Sequence, residues 1–105
     1  MRNGNPRLKG LPPTHPGEIL ADIVFPALGK PKTEIARLLG ISRQTLYDIL
    51  GARQPVTPAM ALRLGKLCGN GAEFWMNLQR NYDLIRAEAE LGDALKAIPT
   101  LKAVA

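Results

Sequence analysis

Arg43, Gln44, Thr45 and Tyr47 crowd into one short stretch and carry the side chains best suited to specific chemistry in this chain. That chemistry is hydrogen bonding to base edges. Arginine suits a bidentate contact to guanine, glutamine suits adenine, and threonine serves either. Catalysis has much less to work with. The chain holds one histidine and one cysteine, no phosphate-cradling glycine loop and no carboxylate pair beside an evident electrophile, so no acid, base and nucleophile set can be assembled. His15 has neither a nucleophile nor a metal partner and reads as a helix-start residue. Cys68 reads as a small buried hydrophobe at a helix end, which leaves neither a disulfide framework nor a metal site. We expect no cofactor and no enzymatic activity.

For those four side chains to point the same way they must sit on a helix, and the flanking residues supply one. Ser42 is a good N-cap, and Leu46, Ile49 and Leu50 recur on the opposite face. Upstream, Ala36 is small where a preceding helix would cross, Gly40 ends that helix in the left-handed region without a Cβ penalty, and Ile41 fills the turn. The stretch from Lys32 to Leu50 therefore reads as a helix-turn-helix, with Arg43, Gln44, Thr45, Tyr47 and Asp48 outward. Two amphipathic helices of an ordinary bundle are the plainer alternative.

Three further helices are predicted. The first opens at Thr14-His15-Pro16, with Pro16 where a missing amide costs nothing, and repeats Ile19, Leu20, Ile23 and Val24 at helical spacing; Pro26 limits it by disfavouring helical geometry at Phe25. Another follows Thr57-Pro58 and runs to about Leu67, burying Met60, Ala61, Leu64, Leu67 and Cys68, with Gly69 as its stop. The last, capped by Asn70 and Glu73, runs to about Leu91, where Trp75, Leu78, Tyr82, Ile85 and Ala89 form a stripe that Phe74 and Leu84 widen. Packing on the bundle and a seam with a second copy both account for so broad a surface, and spacing does not separate them.

The domain plan is thus an irregular basic arm at residues 1–13, a helix-turn-helix domain over 14–70, the long helix over 71–91 and a short tail over 92–105. At 105 residues the chain has room for one domain, and five helices without a strand make it all-α. Its formal charge of +5 suits an anionic partner. The positive surplus lies where the motif lies: Lys30, Lys32, Arg37, Arg43 and Arg53 face only Glu34 and Asp48, whereas acids outnumber bases from Asn70 to Leu91. No apolar run is long enough for a membrane span and the N-terminus lacks a secretory pattern, so a cytoplasmic protein without a membrane partner is expected.

With these residues laid out, the chain resembles the HigA family of antitoxins, a branch of the lambda-repressor-like, Xre-type helix-turn-helix proteins. His15-Pro16-Gly17-Glu18-Ile19-Leu20 is similar to the family's opening, Thr33 to Leu50 to its reading head, and Pro58-Ala59-Met60-Ala61-Leu62-Arg63-Leu64 to its fourth helix. Phe74-Trp75-Met76-Asn77-Leu78-Gln79 with Tyr82-Asp83-Leu84 is the most specific part, because generic repressors of this fold lack it. The resemblance implies a five-helix lambda-repressor-like fold, a homodimer on a palindromic operator of double-stranded DNA upstream of its own operon, and neutralisation of a RelE-like, mRNA-cleaving HigB-type toxin. It places Arg43, Gln44, Thr45 and Tyr47 in the major groove and Lys32, Thr33, Ser42 and Arg53 against phosphates. The seam of the dimer would be Trp75, Leu78, Tyr82, Ile85 and Ala89.

Two departures stand out. Pro31-Lys32 replaces the Ser-Gln with which many relatives begin the second helix, which alters the cap and turns a glutamine contact into a lysine one. Asp48 replaces a basic or polar residue; it suits a cytosine amino group, although phosphates would repel it, or a neighbouring arginine instead. A stand-alone phage- or plasmid-type repressor keeps the same fold without a toxin, and a protein-interaction module that no longer reads DNA would draw on Asp48 and the acidic last helix.

Overall fold

The computed structural model describes residues 14–103, so the expected basic arm at 1–13 lies outside the described residues. Within them the chain is helical and carries no strand: α1 (Pro16–Ile19), a π-helical turn (Leu20–Val24), α2 (Phe25–Leu28), α3 (Lys32–Leu39), α4 (Arg43–Leu50), α5 (Pro58–Cys68), α6 (Ala72–Leu91) and α7 (Asp93–Lys96). The short α7 is one turn more than the tail was expected to hold.

The first three segments run on as one helical rod, and the expectation that Pro26 ends it at Phe25 is corrected. Phe25 is itself helical (φ −64°, ψ −42°), and its N–H bonds to the Leu20 carbonyl, five residues back. That wider turn absorbs the proline, whose ring and missing N–H would otherwise break the ladder. It also changes which side chains face inward. Residues five apart on a regular α-helix point roughly 140° apart, but the π-turn brings Leu20 and Phe25 to the same side, 0% and 5% exposed, and leaves Ile23 61% exposed. The inward role expected for Ile23 thus belongs to Phe25.

The helix-turn-helix forms as its residues dictate. α3 ends at Gly40 in the left-handed region (φ 75°), where a side chain would be strained, and Ser42 caps α4 by accepting the Thr45 N–H at 3.0 Å. Ala36, Leu46 and Ile49 are buried, and a core of Ile35, Leu39, Val56, Leu64 and Trp75 closes around them. From α5, Arg63 Nη1 donates to the Leu39 carbonyl at 2.6 Å, tying off a group the helix end leaves without a partner.

The tightest crossing is between α1 and α4. Gly17 is buried against α4 so closely that a Cβ on it would lie 1.9 Å from the Ile49 carbonyl oxygen. Nothing larger than glycine fits. Gly17→Ala should therefore force α1 off α4 and destabilise the protein by about 1–3 kcal/mol or more, the scale of overpacking a core. Urea unfolding followed by circular dichroism measures it, and an unchanged midpoint would contradict this contact.

Candidate nucleic-acid interface

α4 is anchored on one side and free on the other. Leu46 and Ile49 are 1% exposed, whereas Arg43, Gln44 and Tyr47 are open to solvent and Thr45 is half-buried on the flank. Among the described residues no hydrogen bond or ion pair engages the Arg43 guanidinium. The Ser42 hydroxyl, besides accepting the Thr45 N–H, donates to Thr45 Oγ1 at 2.9 Å, so it serves the helix cap first.

Beside this helix, α3 offers an open N-terminus. Its N-cap is Pro31, which has no side-chain acceptor, and the Pro31 carbonyl takes the N–H groups of Glu34 and Ile35 rather than those of Lys32 and Thr33. The Lys32 and Thr33 amides of this first turn and the exposed Lys32 side chain belong to the same helix end, a combination that favours an anion. The altered cap noted in the sequence leaves that end open.

The acidic residues of this surface are neutralised by their own neighbours. Glu34 is paired with Arg37, which holds its carboxyl below the usual carboxylate range. Asp48 faces Arg53, the arginine partner that was one of its open readings: Nη2 lies 3.2 Å from Oδ1, and Gln44 Nε2 donates to the same oxygen at 2.8 Å. Arg53, expected at a phosphate, is folded back over the C-terminal end of α4, where Nη2 also donates to the Tyr47 carbonyl at 3.3 Å. What remains positive and unpaired here, among the described residues, is Lys30, Lys32 and Arg43.

No family model matches the chain. Individual proteins do. A Pseudomonas aeruginosa protein solved in complex with its 18-bp operator DNA is 38% identical, covers 90% of this chain and 100% of its own, and superposes with a TM-score of 0.81. The Pseudomonas aeruginosa antitoxin HigA, solved with the higBA promoter, is 37% identical over 86% of this chain and 99% of its own, with a TM-score of 0.80. The chain belongs to the HigA family of helix-turn-helix antitoxins. Virulence-associated protein I of Dichelobacter nodosus is a further relative, 34% identical over 76% of this chain and 74% of its own length.

In this HigA-family chain the long helix α6 does not present its apolar stripe as expected. Trp75 is 0% exposed and donates to Asn70 Oδ1 at 3.0 Å, so its expected place on the dimer seam is corrected: α6 lies along α5 at that end and the indole fills the protomer's own core. Asn70, used by Trp75, is no cap; Gly71 holds that position without a side-chain bond. Leu78 and Tyr82 are half-buried, the latter with its ring edge-on to His15 at 4.9 Å. Ile85 is half-buried and Ala89 exposed, and of the five seam candidates these two lie farthest along α6 from the Trp75 anchor.

Two buried polar residues support the unit: Gln79, unassigned in the sequence, and His15, which stands at a helix start as expected. Gln79, 4% exposed, accepts the Val56 N–H at 2.7 Å and donates to Asp83 at 3.0 Å, so it stitches the loop behind α4 to α6. Its one available signal is its place four residues after Trp75 on the inward stripe. His15, 2% exposed, is the N-cap of α1, accepting the Gly17 N–H on Nδ1 at 2.9 Å. Burial pushes His15 below its ordinary value of 6.5, against the opposing pull of Asp83, a backbone hydrogen bond to Gln54, and Glu18. Above that value His15 is neutral folded or unfolded, and the fold keeps its full stability. As the pH falls below 6.5 the unfolded chain takes up the proton first, so stability is lost down to the depressed folded value. The urea midpoint should accordingly fall between pH 7.5 and pH 5.5, and should fall less in His15→Asn, which keeps a capping acceptor and cannot titrate. Parallel pH profiles for the two proteins would contradict this assignment.

Proposed function

We propose that this chain is a dimeric antitoxin that binds a palindromic operator, represses its own operon and neutralises a RelE-like, HigB-type mRNA-cleaving toxin. The observation that carries the DNA half is the two-sidedness of α4, whose buried Leu46 and Ile49 fix the helix while Arg43, Gln44 and Tyr47 stand outward together. In this reading Arg43 contacts guanine, Gln44 adenine, and Thr45 and Tyr47 the flanking edges. Lys32 and Thr33 hold the phosphate at the open end of α3, with Ser42 at the turn and Arg53 as further backbone contacts. The two relatives solved with operator and promoter DNA support the partner, and the antitoxin HigA among them supports the toxin.

Arg43→Ala and Gln44→Ala should each weaken specific operator binding by about 1–3 kcal/mol and spare most affinity for random duplex. Lys32→Ala should weaken both alike and lower the salt slope by about one. Fluorescence anisotropy at several salt concentrations measures these, and equal loss on specific and random DNA for Arg43→Ala would remove it from base reading. The folded double variant Arg43→Ala, Gln44→Ala should still restore growth to cells expressing the neighbouring toxin. Failure to protect by the unaltered protein, beside a neighbour shown to be toxic, would favour a stand-alone repressor.

A single helix-turn-helix makes few base contacts, and two-fold repetition on a palindrome is the usual remedy. We place the seam on the outer part of α6, around Ile85 and Ala89, with Leu78 and Tyr82 at its inner margin. Ile85→Glu should shift the protein toward monomer in light scattering at micromolar concentration while keeping its helicity. A dimer that survives this change would move the seam elsewhere.

A further inference from the structure

One carboxylate oxygen in the proposed reading head serves two donors. Asp48 Oδ1 accepts from Gln44 Nε2 at 2.8 Å and from Arg53 Nε at 3.2 Å. Gln44 and Asp48 lie one turn apart on α4, and Arg53 reaches back from the turn that follows. It is held there by the Tyr47 carbonyl at 3.3 Å and by packing over Gly51, where a Cβ would lie 2.4 Å from Nη1.

The arrangement restricts what Gln44 can offer a base. A carboxylate only accepts, so the amide beside it must turn its nitrogen inward and its oxygen away. One N–H is spent on Asp48. The second N–H and the whole of Oε1 remain, a single donor next to a single acceptor. Adenine presents the matching pair in the major groove, N7 to accept and the N6 amino group to donate, whereas guanine presents two acceptors, N7 and O6. A free glutamine can turn both N–H groups toward guanine; one already bonded to Asp48 cannot. A bare carboxylate here would also repel phosphates, and the Arg53 guanidinium removes that repulsion.

We propose that Asp48, braced by Arg53, is a positioning residue that locks the Gln44 amide so that α4 accepts adenine and rejects guanine at one base pair of each half-site. The proposal rests on the operator-reading function above and deepens it. It also gives Arg53 a first duty within the protein, with Nη1 the guanidinium nitrogen that makes no hydrogen bond there.

The test uses the full-length protein. A randomised duplex pool selected with the unaltered protein defines the preferred site, and anisotropy on duplexes carrying adenine or guanine at each position gives the preference position by position. Gln44→Ala marks the base pair in question by abolishing the preference there. Asp48→Ala should then lower the adenine-over-guanine ratio at that base pair by about tenfold, leave the other positions unchanged, and strengthen binding to random duplex, because a negative charge is removed and Arg53 is released. Asp48→Asn, which keeps an acceptor for Gln44 and loses the charge, should recover most of the ratio while keeping the stronger random binding. A residue that merely supports the helix would instead lower affinity for every sequence. An unaltered ratio in Asp48→Ala where Gln44→Ala abolishes it, or a parallel loss on specific and random DNA, would overturn the role of Asp48 alone. If Gln44→Ala changed no position, base reading by Gln44 would fail and the proposal with it.

Discussion

The contact on which the rest of this structure depends is the seating of α1 on the back of α4 at Gly17 and Ile49. With the α1 backbone pressed directly against the Ile49 carbonyl, the recognition helix has no room to roll or slide on that side. Ala36 gives α3 a close approach, Arg63 fixes the turn of the unit through the carbonyl of Leu39, and Gln79 fixes the loop behind α4 through the amide of Val56. The outward set of α4 is then a consequence of packing, since Leu46 and Ile49 are the only face the bundle accepts. A reading head built this way is positioned before any partner arrives, which keeps the ordering cost of binding low.

Charge is distributed by the same economy of contacts. The acids nearest the proposed interface are matched by nearby arginines, Glu34 by Arg37 on the same helix and Asp48 by Arg53 from the turn that follows. Such exposed pairs add little to stability. They decide something else: which cations and which hydrogen-bonding groups remain for an anionic partner. After the pairing, the open α3 amides, Lys32 and Arg43 are left on the surface, and the Gln44 amide is turned with its oxygen outward.

Much of this was legible in the sequence because local rules and tertiary needs agree there. Gly40, Ser42, Thr57, Pro58 and Gly69 each begin or end a helix where their chemistry says they should. The misreadings fall where a tertiary contact overrode a local signal. Pro26 reads as a stop unless a π-turn precedes it, and no periodicity announces one. That turn also exchanged Ile23 for Phe25 in the core. Asn70 has the chemistry of a cap but was drawn off by the Trp75 indole, and Trp75 in turn belongs to the core because α6 starts on α5. At the site, the outward set was readable from helical period alone. The Asp48 to Arg53 pairing was one open reading among several, since it crosses a helix end where period gives no guide, and the inward duty of Gln79 depended on a loop 23 residues away.

In the proposed complex a helix fixed from behind by α1 presents Arg43 to Tyr47 to the major groove. Amide and side-chain resonances of the isotopically labelled protein, followed by NMR as an operator duplex from its own promoter is added, test this most directly. The largest shifts should fall at Ser42 to Asp48 and at the Lys32 and Thr33 amides, with intermolecular contacts from Arg43 and Gln44 to base protons and little change at Gly17 or Ile49. Shifts confined to α6, or a rearrangement of the α1 and α4 contact on binding, would contradict it.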